Sequence, residues 1–295
     1  MRTVDTALAL LITAIWGLNF SIIKLGLATL DPNLLAAIRF TLCALPAVFF
    51  VPRPNVAWRY WAVYGLLFGV VQWGAVYAGI YFGLSAGLAS LVLQMAVFFT
   101  MAGGAIFFRE RVTASMLLGT AVAFSGVALV FACVDGHATT LGLGLVILGA
   151  MAWAAANLVV KRAKPASMFG FMVWSSLVAP IPLLALSYAF AGPQRILQSL
   201  AHIDAAAVFS ILFQVYPTTL LGYAVWNGLL KKYPLSTVAP LTLFVPVFGM
   251  LGSVLMFGES LPGYKWLAMT CILAGLLINR FGGGWWRQWQ GPLRA

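Results

Sequence analysis

The stretch WGLNFSIIK, Trp16–Lys24, returns later in the chain as WAAANLVVK, Trp153–Lys161. Tryptophan and lysine match at the two ends, and the asparagines, Asn19 and Asn157, are displaced by one position. Further on, Arg109-Glu110-Arg111-Val112 matches Gly258-Glu259-Ser260-Leu261, and Gly126 matches Gly275. These echoes predict a duplicated chain whose halves cover residues 1–135 and 136–295.

The surroundings of the two stretches are apolar. Of 295 residues, 63% are hydrophobic and 8% charged, against about 25% charged residues in soluble domains. The mean hydropathy is +1.00. A bilayer core of about 30 Å takes a helix of about 20 apolar residues, and apolar runs of that length follow one another, broken at Pro, Gly and charge. Spans are expected at 6–27, 33–51, 61–83, 87–108, 114–134, 141–161, 168–191, 205–230, 236–257 and 263–281. The runs are continuous rather than alternating, which favours helices over a barrel. The predicted fold is therefore an all-α membrane protein of ten transmembrane helices in two five-helix repeats. Arg2 before an apolar run imitates a secretory signal. The run instead continues past Trp16 and Asn19 to full membrane length without a cleavage site.

The net charge of +11 would suit nucleic acid only if the basic residues shared one solvated patch. Threaded through the spans, they fall mostly on one side, with Arg2, Arg53, Arg59, Arg109, Arg111, Lys161 and Arg162 among them. The other side receives Arg195 and Lys265, with Lys24 and Arg39 near its edge. By the positive-inside rule both termini are expected in the cytoplasm, with lipid rather than nucleic acid as the charged partner. Five spans per half is an odd number, so the second half is expected to cross in the opposite sense. Glu110 then lies inside and Glu259 outside. Such an inverted repeat implies two interchangeable packings and alternating access to a site near the midplane.

Trp16-Gly17-Leu18-Asn19 with Lys24, the pair Arg39-Phe40, the echo at Trp153–Lys161, Trp226-Asn227 and Gly258-Glu259-Ser260-Leu261 occur in that order over nearly the whole chain. In this they resemble the EamA-type members of the drug/metabolite transporter superfamily. The resemblance implies a bacterial-type inner-membrane carrier exporting amino acids or other small metabolites, with the aromatic amino acid exporters most similar. Two departures stand out. Arg109 replaces the glycine expected before Glu110, and Val97 stands where the second half has Pro246.

Periodicity nominates the residues of a path. In the eighth span Tyr216, Thr219, Tyr223, Trp226 and Asn227 share one face of an ideal helix, and a polar, aromatic stripe suits a cavity better than lipid. The third span carries Trp73, Tyr77 and Tyr81 as a candidate lining. Beside it Gly65, Gly69, Gly79 and Gly83, with Gln72 and Val76, form a face for close packing. The fourth offers Ser90, Gln94, Phe98 and Met101. The first and sixth add Trp16 with Asn19 and Trp153 with Asn157. For each stripe the competing reading is packing against a neighbouring helix. Pro240 and Pro246 make the ninth span a candidate gate, because prolines free backbone carbonyls and permit kinks. Pro46, Pro180 and Pro182 mark the second and seventh spans as movable outer elements. The fifth and tenth spans, nearly all aliphatic, suit lipid contact or a homodimer interface.

All six acids, Asp5, Asp31, Glu110, Asp135, Asp204 and Glu259, fall near span ends or in loops. A proton pump built on a buried carboxylate has no candidate here, and a multidrug or quaternary-cation exporter is weakened for the same reason. Arg39, the deepest charge at about two turns into the second span, lies near enough to the outer edge to be able to snorkel. There it or Lys24 either attracts a substrate carboxylate or pairs with Asp31 or lipid phosphate. Cys43, Cys133 and Cys271 suggest neither disulfides nor a metal site, and His137 and His202 are isolated. No cofactor is expected. A nucleotide-sugar carrier would call for basic groups at the midplane, a channel for a continuous polar lining, and an intramembrane enzyme for converging acid, base or metal groups. The expected partner is a small molecule, an aromatic or other hydrophobic amino acid, held between the halves.

Overall fold

A computed structural model of the chain describes residues 1–132, 139–233 and 235–290. The expected division at 135/136, together with Cys133, Asp135, His137 and the side chain of Pro240, lies outside the described residues. Among the described residues the regular structure is helical. Seven helices are long and apolar enough to cross a membrane: α1 (Thr3–Gly26), α2 (Pro32–Phe49), α3 (Trp58–Tyr81), α4 (Ala86–Phe108), α6 (Thr140–Ala163), α7 (Met168–Ala191) and α8 (Ala205–Lys232). Three apolar helices are shorter, α5 (Ala114–Val130), α9 (Leu241–Phe257) and α10 (Gly263–Asn279). The chain is a multi-pass helical membrane protein.

Local chemistry explains where several helices start and break. Asp31 caps α2, its carboxylate accepting from the N–H groups of Asn33 at 3.0 Å and Leu34 at 3.1 Å, with Pro32 in the first turn. The same carboxylate accepts from Ser187 Oγ at 2.8 Å, so Asp31 is not the partner of Arg39. Ser85, Ser167 and Asp204 cap the helices that follow them in the same way. The regular turns of α2 stop before a cis Leu45–Pro46 bond, and α7 is interrupted just before Pro180.

Contacts fix the relative directions of the helices. Gly17 packs on Val245 and Gly249, Gly252 meets Leu18 and Ser21, and Lys24 reaches Glu259, so α1 and α9 run parallel. Gly87 meets Ser253 and Gly249 meets Ser90, which makes α4 antiparallel to α9. Gly103 meets Leu158, and Asn157 bonds Thr100, so α4 and α6 are parallel. It follows that α1 and α6 point in opposite directions.

The ends of α4 and α9 share one construction. Each closes on a left-handed residue, Arg109 at φ 54° and Gly258 at φ 62°. In each, the next N–H reaches back to a carbonyl six residues earlier, Glu110 to Gly104 and Glu259 to Ser253, which satisfies an otherwise open carbonyl of the last turns. This explains the glycine at 258. At Arg109 a side chain occupies the conformation that favours glycine, at a cost of about 1–2 kcal/mol. Each following glutamate pairs with a lysine from the last turn of a distant helix. Glu259 takes Lys24 at 2.6 Å, and Glu110 takes Lys161. The lysines also lie over the preceding rings, Lys24 at 4.3 Å from the centre of Phe257 and Lys161 at 4.8 Å from that of Phe108. Burial pushes the Glu259 carboxyl upward, but hydrogen bonds from Lys24 and Ser253 outweigh it and hold it below its ordinary value. Lys24 is thus engaged within the protein.

The pair α5 and α10 lies to one side. Gly119 sits against the backbone of Gly275 and Asn279, and Gly126 against the carbonyl of Ala268, while Leu117, Leu118, Trp266 and Leu267 are exposed. A Cβ on Gly126 would come within 2.8 Å of that carbonyl, whereas Gly144 and Gly228 have open space around them. Gly126→Leu is therefore expected to lower unfolding stability in detergent by about 1–3 kcal/mol through overpacking. Gly144→Ala and Gly228→Ala should leave it unchanged or raise it; thermal unfolding of the three variants checks the contrast.

Candidate functional site

Three helices depart from α geometry at their centres, and a fourth at its start. Wider turns with i to i+5 bonding run through Gly65–Trp73 of α3 and Gln214–Leu221 of α8. Tighter 3-10 turns occupy Leu93–Met95 in α4 and Ala239–Leu243 at the start of α9. In α8 the cause is legible. Pro217 has no N–H to bond the carbonyl four residues back and its ring crowds that position, so the turn widens. Thr219 Oγ1 then caps the carbonyl of Gln214 at 2.7 Å. Stretches of this kind often mark functional hinges, and here all four border one cavity.

The cavity measures about 300 Å³, the lower end of the range for small-molecule pockets. Its walls come from α1 (Trp16, Asn19, Phe20), α2 (Arg39), α3 (Tyr64, Phe68, Gln72, Trp73), α4 (Ser90, Leu93, Gln94), α6 (Trp153, Asn157, Val160), α8 (Thr218, Tyr223, Trp226) and the start of α9 (Thr242, Val245). Along α6 the lining runs to Val160, beside Lys161, and on to Met168 at the start of α7. At the opposite end α4 and α9 close on each other, with Gly87 N–H donating to Ser253 Oγ at 3.1 Å.

Nine residues expected from periodicity meet at this cavity: Trp16, Asn19, Trp73, Ser90, Gln94, Trp153, Asn157, Tyr223 and Trp226. Their positions are fixed by specific bonds. Trp16 Nε1 donates to the Thr218 carbonyl at 2.9 Å, and Thr218 Oγ1 donates to Asn19 Oδ1 at 3.1 Å. Asn157 Nδ2 bonds Thr100 Oγ1 at 3.2 Å, and Gln94 Nε2 the Thr242 carbonyl at 3.4 Å. The rings of Trp16, Tyr223 and Trp226 form one cluster, with centroids 5.6 Å and 5.1 Å from Trp16. A second cluster joins Phe20, Phe68 and Trp73.

The other candidates stand elsewhere. The single face expected in α8 is divided, because the wide turn shifts the phase. Thr218 and Tyr223, five apart, line the cavity, while Tyr216 is 50% exposed and Asn227 lies off the lining. Thr219 and Tyr77 are buried behind the wall, Phe98 is buried in the core, and Tyr81 is exposed and accepts from Arg195 at 2.7 Å. Pro246 is buried in α9 away from the lining. The same phase shift corrects the reading of α3. Gln72 leaves the glycine face and joins Phe68 and Trp73 at the cavity, while Gly65 and Gly69 pack on α7 and Gly79 on α6.

Arg39 is the largest correction. It does not snorkel. It is 2% exposed and lines the cavity. Nη1 donates to Tyr77 Oη at 2.8 Å and Nη2 to Thr219 Oγ1 at 3.1 Å, and the guanidinium lies 4.4 Å from the centre of the Trp73 ring. Tyr77 in turn donates to Gln214 Oε1, Gln214 Nε2 donates to Ser210 Oγ at 2.9 Å, and Ser210 Oγ to the Ile22 carbonyl at 2.6 Å. Among the described residues Arg39 makes no ion pair. Asp5 is taken by Lys232, Glu110 by Lys161 and Glu259 by Lys24, while Asp31 and Asp204 cap helices. A charge in the first half of α2 signalled something unusual. The sequence alone did not show that Tyr77 and Thr219, on two other helices, would hold it inward. Tyr77→Phe removes the hydroxyl between Arg39 and Gln214 and leaves both short of a partner. The expected loss is about 1–3 kcal/mol of unfolding stability, read by thermal unfolding, whereas Tyr81→Phe, at the exposed end of α3, should change little.

The chain matches the EamA-like transporter family in two segments, residues 6–132 and 140–281. It is 42% identical over 289 residues to a protein of Salmonella typhimurium named "Probable amino-acid metabolite efflux pump", covering 96% of each chain. It is 39% identical over 292 residues to an Escherichia coli protein of the same name, covering 97% of each. A solved crystal structure aligns over 94% of this chain and 96% of its own with a TM-score of 0.62 at 14% identity, a likeness of fold alone. With both segments matched and the cavity enclosed between them, the chain belongs to the EamA-like transporter family.

Proposed function

We propose that this protein exports amino acids and small amino-acid metabolites across the bacterial inner membrane, with aromatic or other apolar side chains preferred. Substrate passes through the central cavity by alternating access. The observation that carries the reading is the composition of the cavity: aromatic faces, neutral amides and hydroxyls, and Arg39 as the one charged lining group among the described residues. Two relatives of nearly full length carry the name of amino-acid metabolite efflux pumps, and the cavity suits such molecules. Tyr, Trp and Phe rings hold an apolar side chain, each ring contact adding about 0.5–1.5 kcal/mol beyond burial. The amides and Arg39 serve the polar end.

A quaternary-cation exporter fits less well. Cation–π contact with the same rings is worth about 0.5–2 kcal/mol each. At about 6 Å and an effective dielectric near 20, the Arg39 charge repels a cation by about 3 kcal/mol. The same term attracts a carboxylate. Among the described residues no lining carboxylate offsets it.

The mechanical reading is ten spans in two five-helix halves of opposite orientation, with both termini cytoplasmic. It is supported by the opposed directions of α1 and α6, by the exchanged pairs Lys24–Glu259 and Lys161–Glu110, and by the matched irregular turns in α3 and α8 and in α4 and α9. The lining reaches the end of α6 that carries Lys161 and Arg162. That end is cytoplasmic by the positive-inside rule, so the conformation described is inward-facing. Alternating access requires α4 and α9 to part at Gly87 and Ser253 while the α6 and α7 side closes. The non-α turns are the places where backbone geometry changes most easily.

Purified protein in liposomes preloaded with labelled L-phenylalanine, L-leucine or tetraphenylphosphonium tests the substrate. Saturable efflux of the amino acids is expected, and efflux of the cation alone would overturn the assignment. For the topology, single cysteines replacing Arg111 and Ser260 in a cysteine-free background should react with an impermeant thiol reagent from opposite sides. Labelling of both from one side would exclude the inversion.

A further inference from the structure

We propose that Arg39, Trp73 and Gln72 form a subsite that reads the common end of an amino acid, its α-carboxylate and α-ammonium, and leaves its side chain to the aromatic walls. The inference rests on the amino-acid reading above and deepens it.

Among the described residues, three that line the cavity each carry a buried polar atom without a hydrogen-bond partner: Arg39 Nε, Trp73 Nε1 and Gln72 Oε1. Each belongs to a residue at least nine-tenths buried. Folded proteins leave few such atoms unpaired, and three at one wall point to a ligand that completes them. The neighbourhood is tight, since Gln72 and Trp73 are consecutive in the wide turn of α3 and the guanidinium of Arg39 lies 4.4 Å from the centre of the Trp73 ring. The other buried atoms without partners, on Ser21, Trp61, Ser175 and Asn227, belong to residues outside the lining.

The inventory of the three matches one chemistry. A carboxylate only accepts, and Arg39 Nε and Trp73 Nε1 only donate. An ammonium only donates, and Gln72 Oε1 only accepts. The charge agrees, because Arg39 has no acidic partner among the described residues and a bound carboxylate would be its first counter-ion. Nη1 donates to Tyr77 and Nη2 to Thr219, which holds the guanidinium in place while Nε has no partner of its own. Recognition of this kind accepts many side chains and discriminates against the corresponding amine, which lacks the carboxylate, and the amide, which lacks its charge.

The test is binding to the purified protein, read from the concentration dependence of thermal stabilisation. The probes are L-phenylalanine, 3-phenylpropionate, phenethylamine and L-phenylalaninamide. The wild type should bind L-phenylalanine most tightly, and the amine and the amide at least about tenfold more weakly, as expected for loss of a charge-assisted contact. Arg39→Gln should weaken 3-phenylpropionate about tenfold or more and leave phenethylamine unchanged or improved. Trp73→Phe keeps the ring and removes only the N–H, and should weaken the carboxylate probes by about threefold. Gln72→Leu should weaken the ammonium-bearing probes and spare 3-phenylpropionate. Equal weakening of all four probes by each variant would show a structural role and overturn the proposal, as would a wild type that binds the amine as tightly as the amino acid or fails to bind any carboxylate probe. If Arg39→Gln does not fold, the opposed patterns of Trp73→Phe and Gln72→Leu still decide. The failure of the broader reading looks different: no amino acid leaves the liposomes, although the carboxylate probes bind in the pattern described.

Discussion

A cation buried inside a membrane protein without an acid beside it sets the terms for this structure. Placing arginine at mid-membrane depth costs about 2.5–3.5 kcal/mol even on insertion scales, and the cost must be offset locally. Arg39 meets two oxygens and two aromatic rings, the neighbouring Phe40 of α2 and partners from other helices, Tyr77 and Trp73 from α3 and Thr219 from α8. The relay through Gln214 and Ser210 extends to the backbone of α1. One side chain thereby ties α2 to three neighbours. Because no carboxylate among the described residues neutralises it, the same residue leaves a positive potential at the cavity wall. Structural cost and binding chemistry have one origin.

Around that group the helices combine close contact with weak regularity. Glycines bring backbones together where α1 meets α9, where α3 meets α6 and α7, and where α5 meets α10. In a membrane, where apolar burial does not drive helix association, such contacts supply the van der Waals attraction. The turns that depart from α geometry lie in four of the helices that line the cavity, and the one in α3 itself carries Gly65 and Gly69. Close packing and adjustable backbone thus meet beside the cavity, which suits a protein proposed to exchange two conformations.

The ion pairs follow the same division of labour. Lys24–Glu259 and Lys161–Glu110 each tie the last turn of one helix to the cap of a distant one, with a phenylalanine ring beneath the lysine. Lys161–Glu110 is largely exposed and Lys24–Glu259 half-buried. Exposed pairs are individually worth no more than about 1 kcal/mol, so their contribution is to the register between helices rather than to stability. Arg109 in a left-handed conformation shows that this register is kept even where the residue does not suit the backbone.

Composition and apolar run length determined that this is a helical membrane protein, because a bilayer leaves few other solutions for such a chain. Repeated Trp-to-Lys and Glu-containing stretches located the lysines and glutamates that later pair, and nine cavity residues followed from polar and aromatic periodicity. What periodicity assumed was an unbroken α-helix. The wide turns at Gly65–Trp73 and Gln214–Leu221 change the angle between successive side chains, so Gln72 and Thr218 turn towards the cavity and Tyr216 away from it. Pro217 signalled one of these turns, whereas the other follows from no single residue. Arg39 was visible as a deep charge. Its inward direction depended on hydroxyls supplied by Tyr77 and Thr219, far away in the chain, and only the tertiary structure brings those partners to it.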